Sequence, residues 1–269
     1  VNALEADGVN VRSSLRSRVA AETAMSNLLL ARASMPRRSG FARAFGVGVL
    51  SDEGRHWYTA ALSEIAVGDA LAALGADWVV LHAVPLDDHG TGIDHVVIGP
   101  TGVFALSSGN HSDQFPDRSD PAGLVRRHIR NSELKVGRVE RALAGALGTA
   151  VEATGVLIVV NPKSIPARVA PRDIKVIGSH ELVDWLESGA RVLSVSDVQQ
   201  LADLAEKPET WLSSPLTIRD GERVRTEFDA VQREVHAARI LRQAWSAGAA
   251  SVLVVVVCLA AWVVATVTA

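Results

Sequence analysis

Residues 92–114 read GIDHVVIGPTGVFALSSGNHSDQ, which sets an acid and a polar cluster at the ends of two short apolar runs. Asp94 stands at the head of the first run, and Ser107, Ser108, Gly109, Asn110 and His111 close the second. A carboxylate in such a place can hold a divalent cation, and a histidine can act as a base or a ligand. His95 adjoins Asp94, but strand alternation sends the two to opposite faces, so His95 reads as a packed or hydrogen-bonded histidine. Asp94 also has a purely structural use, as acceptor of backbone hydrogen bonds or partner of Arg126, Arg127 or Arg130. The histidines at 56, 82, 89, 128, 180 and 236 show no ligand spacing.

Other chemistries find no support. No GxxxxGK[ST] loop is present, and Gly46-Val47-Gly48 lacks both the spaced third glycine and the preceding strand of a dinucleotide fingerprint. Ser107 and Ser108 do not sit in a G-x-S-x-G elbow. The single cysteine, Cys258, lies in an apolar run, so neither an intrachain disulfide nor a cysteine-based zinc site is available.

The elements that must position Asp94 follow from the apolar pattern. Ser51-Asp52-Glu53 reads as a cap, and residues 57–75 place Leu62, Ile65, Ala66, Leu71 and Leu74 on one helical stripe ended by glycine. Three strands follow, from Trp78, Ile93 and Gly102, separated by the turn residues Asp87-Asp88-His89-Gly90 and Gly99-Pro100-Thr101-Gly102. Their apolar continuity predicts a sheet covered on both faces. A helix over about 131–147, a strand at 155–160 stopped by Asn161-Pro162, a short strand at 174–177 and a helix over 180–187 come next. A last helix starts at Ser196, boxed with Gln199, and the globular part ends near Trp211.

That order, with the stretches GADWVVLHAVPL, GIDHVVIGP and TGVFAL, resembles the nuclease-related domain, or NERD, family over roughly residues 57–160. The resemblance implies an α/β fold like the PD-(D/E)XK nuclease core, where an aspartate and a following Glu-x-Lys bind magnesium and activate water. Phosphodiester cleavage needs carboxylates to hold the cation and a second positive charge to balance the transition state. Matched position by position, the family aspartate is Asp94, its acid falls on Ser107, its lysine on Gly109, and its helix glutamate on Asp69. Losing one electrostatic stabiliser in such a site costs roughly a hundred- to a thousandfold in rate, and here a metal ligand and a cation are missing together. The sequence therefore predicts a pseudonuclease with no catalytic residues and no cofactor. The alternative is a magnesium-dependent nuclease with a rearranged site using Asp94 and Asp69.

The ends of the chain set its surroundings. The formal charge of −3 excludes a whole-chain electrostatic grip on nucleic acid, although arginines crowd the first 43 residues. Residues 10–33 read as an arginine-bearing helix broken at Pro36-Arg37-Arg38-Ser39-Gly40. Residues 247–269 carry no charge over about the length a helix needs to cross the hydrocarbon core. Arg233, Arg239 and Arg242 precede that run, which by the positive-inside rule keeps the preceding domain in the cytoplasm as a single-pass, tail-anchored protein without a secretory signal. The expected organisation is a basic helical segment at 1–50, the NERD-like domain at 51–214, a juxtamembrane helix or linker at 215–246 and a transmembrane helix at 247–269. Expected partners are the membrane and a nucleic acid or protein.

Overall fold

The computed structural model describes residues 14–87, 92–110, 121–160, 174–214 and 220–267. Of residue 110, residues 121–128 and several residues past Leu259, only the backbone is described. The elements are α1 (Glu22–Ala33), α2 (Gly40–Ala44), α3 (Asp52–Leu71), β1 (Val79–Pro85), β2 (Gly92–Gly99), β3 (Gly102–Asn110), α4 (Pro121–Leu147), β4 (Ala153–Val160), β5 (Ile174–Gly178), α5 (Leu182–Glu187), α6 (Val195–Ala205) and α7 (Gly221–Val267).

The five strands form one sheet in the order β1-β2-β3-β4-β5. The first three make an antiparallel meander, while β3, β4 and β5 run parallel, with α4 connecting β3 to β4. The unbroken apolar runs of the sequence correspond to burial on both faces. On one face Leu81, Val96, Ile98, Val103 and Ala105 form a core with Val139 and Leu143 of α4 and with Val198 and Leu201 of α6. On the other, Val97, Phe104, Leu106, Val156 and Ile158 gather with Val67 and Leu71 of α3 and with Leu182 and Leu186 of α5. Each buried Val, Leu, Ile or Phe among them contributes about 1.5–3 kcal/mol, so the sheet is a rigid platform for whatever stands at its strand ends. This mixed α/β architecture is consistent with a nuclease-like core.

Several boundaries differ from the sequence reading. The arginine-bearing helix is confined to α1 within the described residues. Before it lies a single 3-10 turn over Leu15–Ser17, and Ala21 takes a left-handed φ of 64° that interrupts any helix through it. Leu15 is fully buried in the first core, and its N–H donates to the Glu206 carbonyl at 2.8 Å, so tertiary burial overrides helical continuation. Helix α4 starts at Pro121, about ten residues before the predicted 131, because proline suits a first helical turn whatever the charge pattern that follows. The cap of α6 is Ser194 rather than Ser196: its Oγ accepts from the Asp197 N–H, and the Asp197 carboxylate accepts from the Ser194 N–H in return. The expected turn at 88–90, His111 and the Asn161-Pro162 stop lie outside the described residues.

The chain divides into two compact units, one of residues up to Asn27 with His56–Arg225, the other of Leu28–Arg55 with Thr226–Ala269. The first holds the sheet. In the second, α2 and the turn after it are tied to α7: Arg242 Nη1 donates to the Gly46 carbonyl at 2.7 Å, Trp245 Nε1 to the Ala44 carbonyl at 2.9 Å, and Phe45 stacks on Trp245 with ring centres 4.7 Å apart. Helix α7 continues through residue 246 without a break and is long and apolar enough to cross a membrane.

Candidate functional site

Asp94 stands at a break in the sheet. Between β1 and β2 the pairs run from Val79↔Ile98 to Pro85↔Gly92 but omit Ala83, the residue whose register would oppose Asp94. Ala83 has a φ of 49°, a left-handed conformation in a buried non-glycine residue that costs about 1–2 kcal/mol. On the other side, pairing of β2 with β3 ends at His95↔Leu106, one step short of Asp94. Backbone strain of this kind tends to collect where a side chain has to be aimed.

The aimed carboxylate is engaged at both oxygens. Asp94 Oδ2 accepts from the Ser108 backbone N–H at 2.6 Å and from the Ser108 hydroxyl at 2.7 Å. Its Oδ1 lies 4.0 Å from Lys135 Nζ on α4. Among the described side chains Lys135, rather than Arg130, is thus the cation that answers this acid, while the side chains of Arg126 and Arg127 lie outside the description. Glu64 comes to the same place from α3. Burial above all, and then the negative charge of Asp94, hold the Glu64 carboxyl well above the usual carboxylate range, with Lys135 pulling the other way. Asp94, Glu64 and Lys135 line a cavity of about 270 Å³ that also takes in Trp57, Asn27 and Ala83.

The neighbouring positions on β3 are chemically quiet. Ser107 is buried, and its Oγ has no hydrogen-bond partner among the described residues. At Gly109 a side chain would meet Leu157 Cδ1 at 4.0 Å, an ordinary contact, so packing does not demand glycine there. Asp69 is exposed on α3 and does not line the cavity. It follows Glu64 by five residues, which turns it about 140° around the helix.

His95 faces away from this site, as alternation requires. It is fully buried, and its Nδ1 lies 2.8 Å from Nδ1 of His82, so one ring donates and the other accepts. Both rings are held neutral: burial lowers His82, and burial together with the adjacent His82 pushes His95 down to about 3, against the opposing pull of Asp94. Gly68 lets α3 approach this pair, for a Cβ there would lie 2.6 Å from Ala20 Cβ and 3.7 Å from both rings.

The family model of the nuclease-related domain, NERD, matches residues 59–160. No curated protein and no solved structure matches the chain. The NERD match runs from α3 through β4 and contains every residue of the Asp94 cluster.

A NERD domain of nuclease type implies a divalent cation, and the donor set here does not fit one. Oδ2 of Asp94 is occupied by Ser108, Oδ1 faces an ammonium, and burial raises the Glu64 carboxyl well above the usual carboxylate range. Among the described residues no three His, Cys, Asp or Glu side chains are grouped to hold a metal. The sequence reading missed Glu64, Ser108 and Lys135. Glu64 carried a signal, as the one acid set between Leu62, Ile65 and Ala66 on the apolar stripe of α3; Lys135 carried none, being one cation among several on a basic helix.

Proposed function

We propose that the chain is a nuclease-related binding module that is anchored in a membrane through α7, presents its α/β domain to the cytoplasm and does not hydrolyse phosphodiesters. The observation that carries this reading is the internal engagement of Asp94: Ser108 and Lys135 answer the carboxylate that a nuclease would hold open for a cation. Ser107 and Gly109, where the family places its acid and lysine, supply neither. The module needs no cofactor. Its ligand is a nucleic acid or a protein, and a cavity of about 270 Å³ lined by Lys135, Trp57 and Asn27 suits a single nucleotide or side chain more than a length of duplex.

Anchoring is supported by the uncharged run from Ala247 and by the solvent exposure of Val252, Leu253 and Trp262, which a water-soluble helix would bury. Arg233, Arg239 and Arg242 before that run support the cytoplasmic orientation.

A second reading, a magnesium-dependent nuclease with a rearranged site, rests on a different observation. Glu64 and Lys135 reach Asp94 from α3 and α4, which restores two carboxylates and a lysine from positions outside the Glu-x-Lys pattern. The full chain in neutral detergent, incubated with single- and double-stranded DNA and RNA plus Mg²⁺ or Mn²⁺, separates the two. Salt-sensitive binding without cleavage is expected. Cleavage that disappears with EDTA and in Asp94→Ala would overturn the binding-module reading.

A further inference from the structure

The unit built from Leu28–Arg55 and Thr226–Ala269 contains a cavity of about 490 Å³ lined by Arg32, Arg37, Arg38, Arg43 and the single carboxylate Glu234. Arg32 and Arg38 both bond to Glu234, the latter through Nη1 at 2.8 Å, and Arg38 also donates to the Val47 and Ala42 carbonyls at 3.1 Å each. Four guanidiniums thus line one cavity with a single acid, which two of them contact. Arg32 keeps a buried Nη1 with no acceptor, and the exposed side chains of Arg37 and Arg43 have no partner among the described residues. Guanidiniums match phosphate oxygens in geometry as well as charge, so a surplus of them around a concave space is a phosphate-binding arrangement.

The same unit shows where the phosphate would come from. Arg43 lies on α2 between Phe41 and Phe45. Phe45 stacks on Trp245, two residues before the uncharged run begins at Ala247. Phe41, packed on Phe45 with ring centres 4.3 Å apart, is 70 % exposed, and Trp245 is 50 % exposed. Exposed aromatic rings at the mouth of a membrane span are the pattern of residues that sit among lipid headgroups. We infer that this arginine pocket binds the phosphate of an anionic phospholipid headgroup, with Phe41, Phe45 and Trp245 seated in the interface beneath it. The inference rests on α7 crossing a bilayer.

The test uses the full chain in two arms. Flotation with phosphatidylcholine vesicles reports the anchor alone, and a chain that stays at the bottom of the gradient defeats the membrane reading without touching the pocket. In the second arm the chain is passed through gel filtration in neutral-detergent micelles containing equal phosphatidylglycerol and phosphatidylcholine, and retained lipid is counted by mass spectrometry. Expected is an enrichment of phosphatidylglycerol of about tenfold that declines with added salt and vanishes in the Arg37→Gln/Arg43→Gln chain, whose melting temperature stays that of the parent. Equal retention of the two lipids, enrichment unmoved by salt, or enrichment unchanged in the double variant would overturn the inference. So would displacement of the lipid by millimolar inorganic phosphate, which would make the pocket a free-phosphate site.

Discussion

The two charged cavities of this chain differ in how far their charges are settled. Around Asp94, each ionised group has a neighbour that answers it: Ser108 and Lys135 serve the aspartate, and Glu64 is biased towards its neutral form. Around Glu234, one carboxylate serves two arginines while two more arginines and a buried N–H have no acceptor among the described residues. A settled cluster stabilises a fold and offers an incoming ion little, whereas an unsettled one gains on binding a counter-charge. The difference teaches that the unanswered charge among the described residues is not where the match to the NERD model would first direct attention.

The contrast can be broken from the arginine side with Gly46→Ala. Gly46 has a φ of 65°, and a Cβ there would lie 2.4 Å from the Ala238 carbonyl oxygen, so the substitution combines backbone strain with a collision against main chain. A cost of about 3 kcal/mol is expected, enough to loosen α2 from α7. Trp245 emission should then shift as its stack with Phe45 opens, and lipid retention should fall although every arginine remains.

From the other side, Asp94→Ala removes the acceptor shared by the Ser108 N–H and Oγ and leaves Lys135 without its acid. Destabilisation of about 2 kcal/mol is expected, measured by denaturant unfolding in detergent. Phosphatidylglycerol retention should be unchanged, because the two clusters hold separate residues. A loss of both properties together would show that they are not independent.

The smallest effect sharpens the electrostatic account of Glu64. A carboxyl whose folded pKa is raised binds its proton more tightly folded than unfolded, so Glu64 costs stability at high pH and regains it as pH falls through its folded pKa. The histidine pair acts in the opposite sense: with folded values below 6.5, His82 and His95 favour the fold above that pH and weaken it as pH drops towards about 3. Glu64→Gln should raise the melting temperature more at pH 8 than at pH 5. In that variant the acid-side loss due to the histidines should appear more steeply.

The strands of the fold were legible because their apolar runs are long and their turns carry glycine, proline and aspartate; β2 and β3 fell where GIDHVVIGP and GVFALSS suggested. Asp94 was legible through its position at a strand head. Its actual partners were not, since Ser108 reaches it through a ladder that stops early and Lys135 comes from a helix 41 residues further along the chain. The helix acid was placed on Asp69, which sits outside the cavity, because sequence alone does not fix which turn of α3 meets the strand end. The arginine pocket was legible only as composition: Arg32, Arg37, Arg38 and Arg43 were visible as a basic segment, but Glu234, the acid around which they gather, is 191 residues beyond Arg43.

The central claim is that the Asp94 site keeps the frame of a nuclease without its chemistry, and restoring the missing pair tests it most directly. Ser107→Glu/Gly109→Lys returns the acid and the lysine to β3, and a Cβ at Gly109 would make only an ordinary contact with Leu157. The full chain and this double variant would be compared for Mg²⁺- and Mn²⁺-dependent cleavage of DNA and RNA. The account predicts a silent parent and a variant that cleaves, with the gain abolished by EDTA and by adding Asp94→Ala. A parent that already cleaves in an EDTA-sensitive, Asp94-dependent way, with nothing gained by the two substitutions, would contradict it.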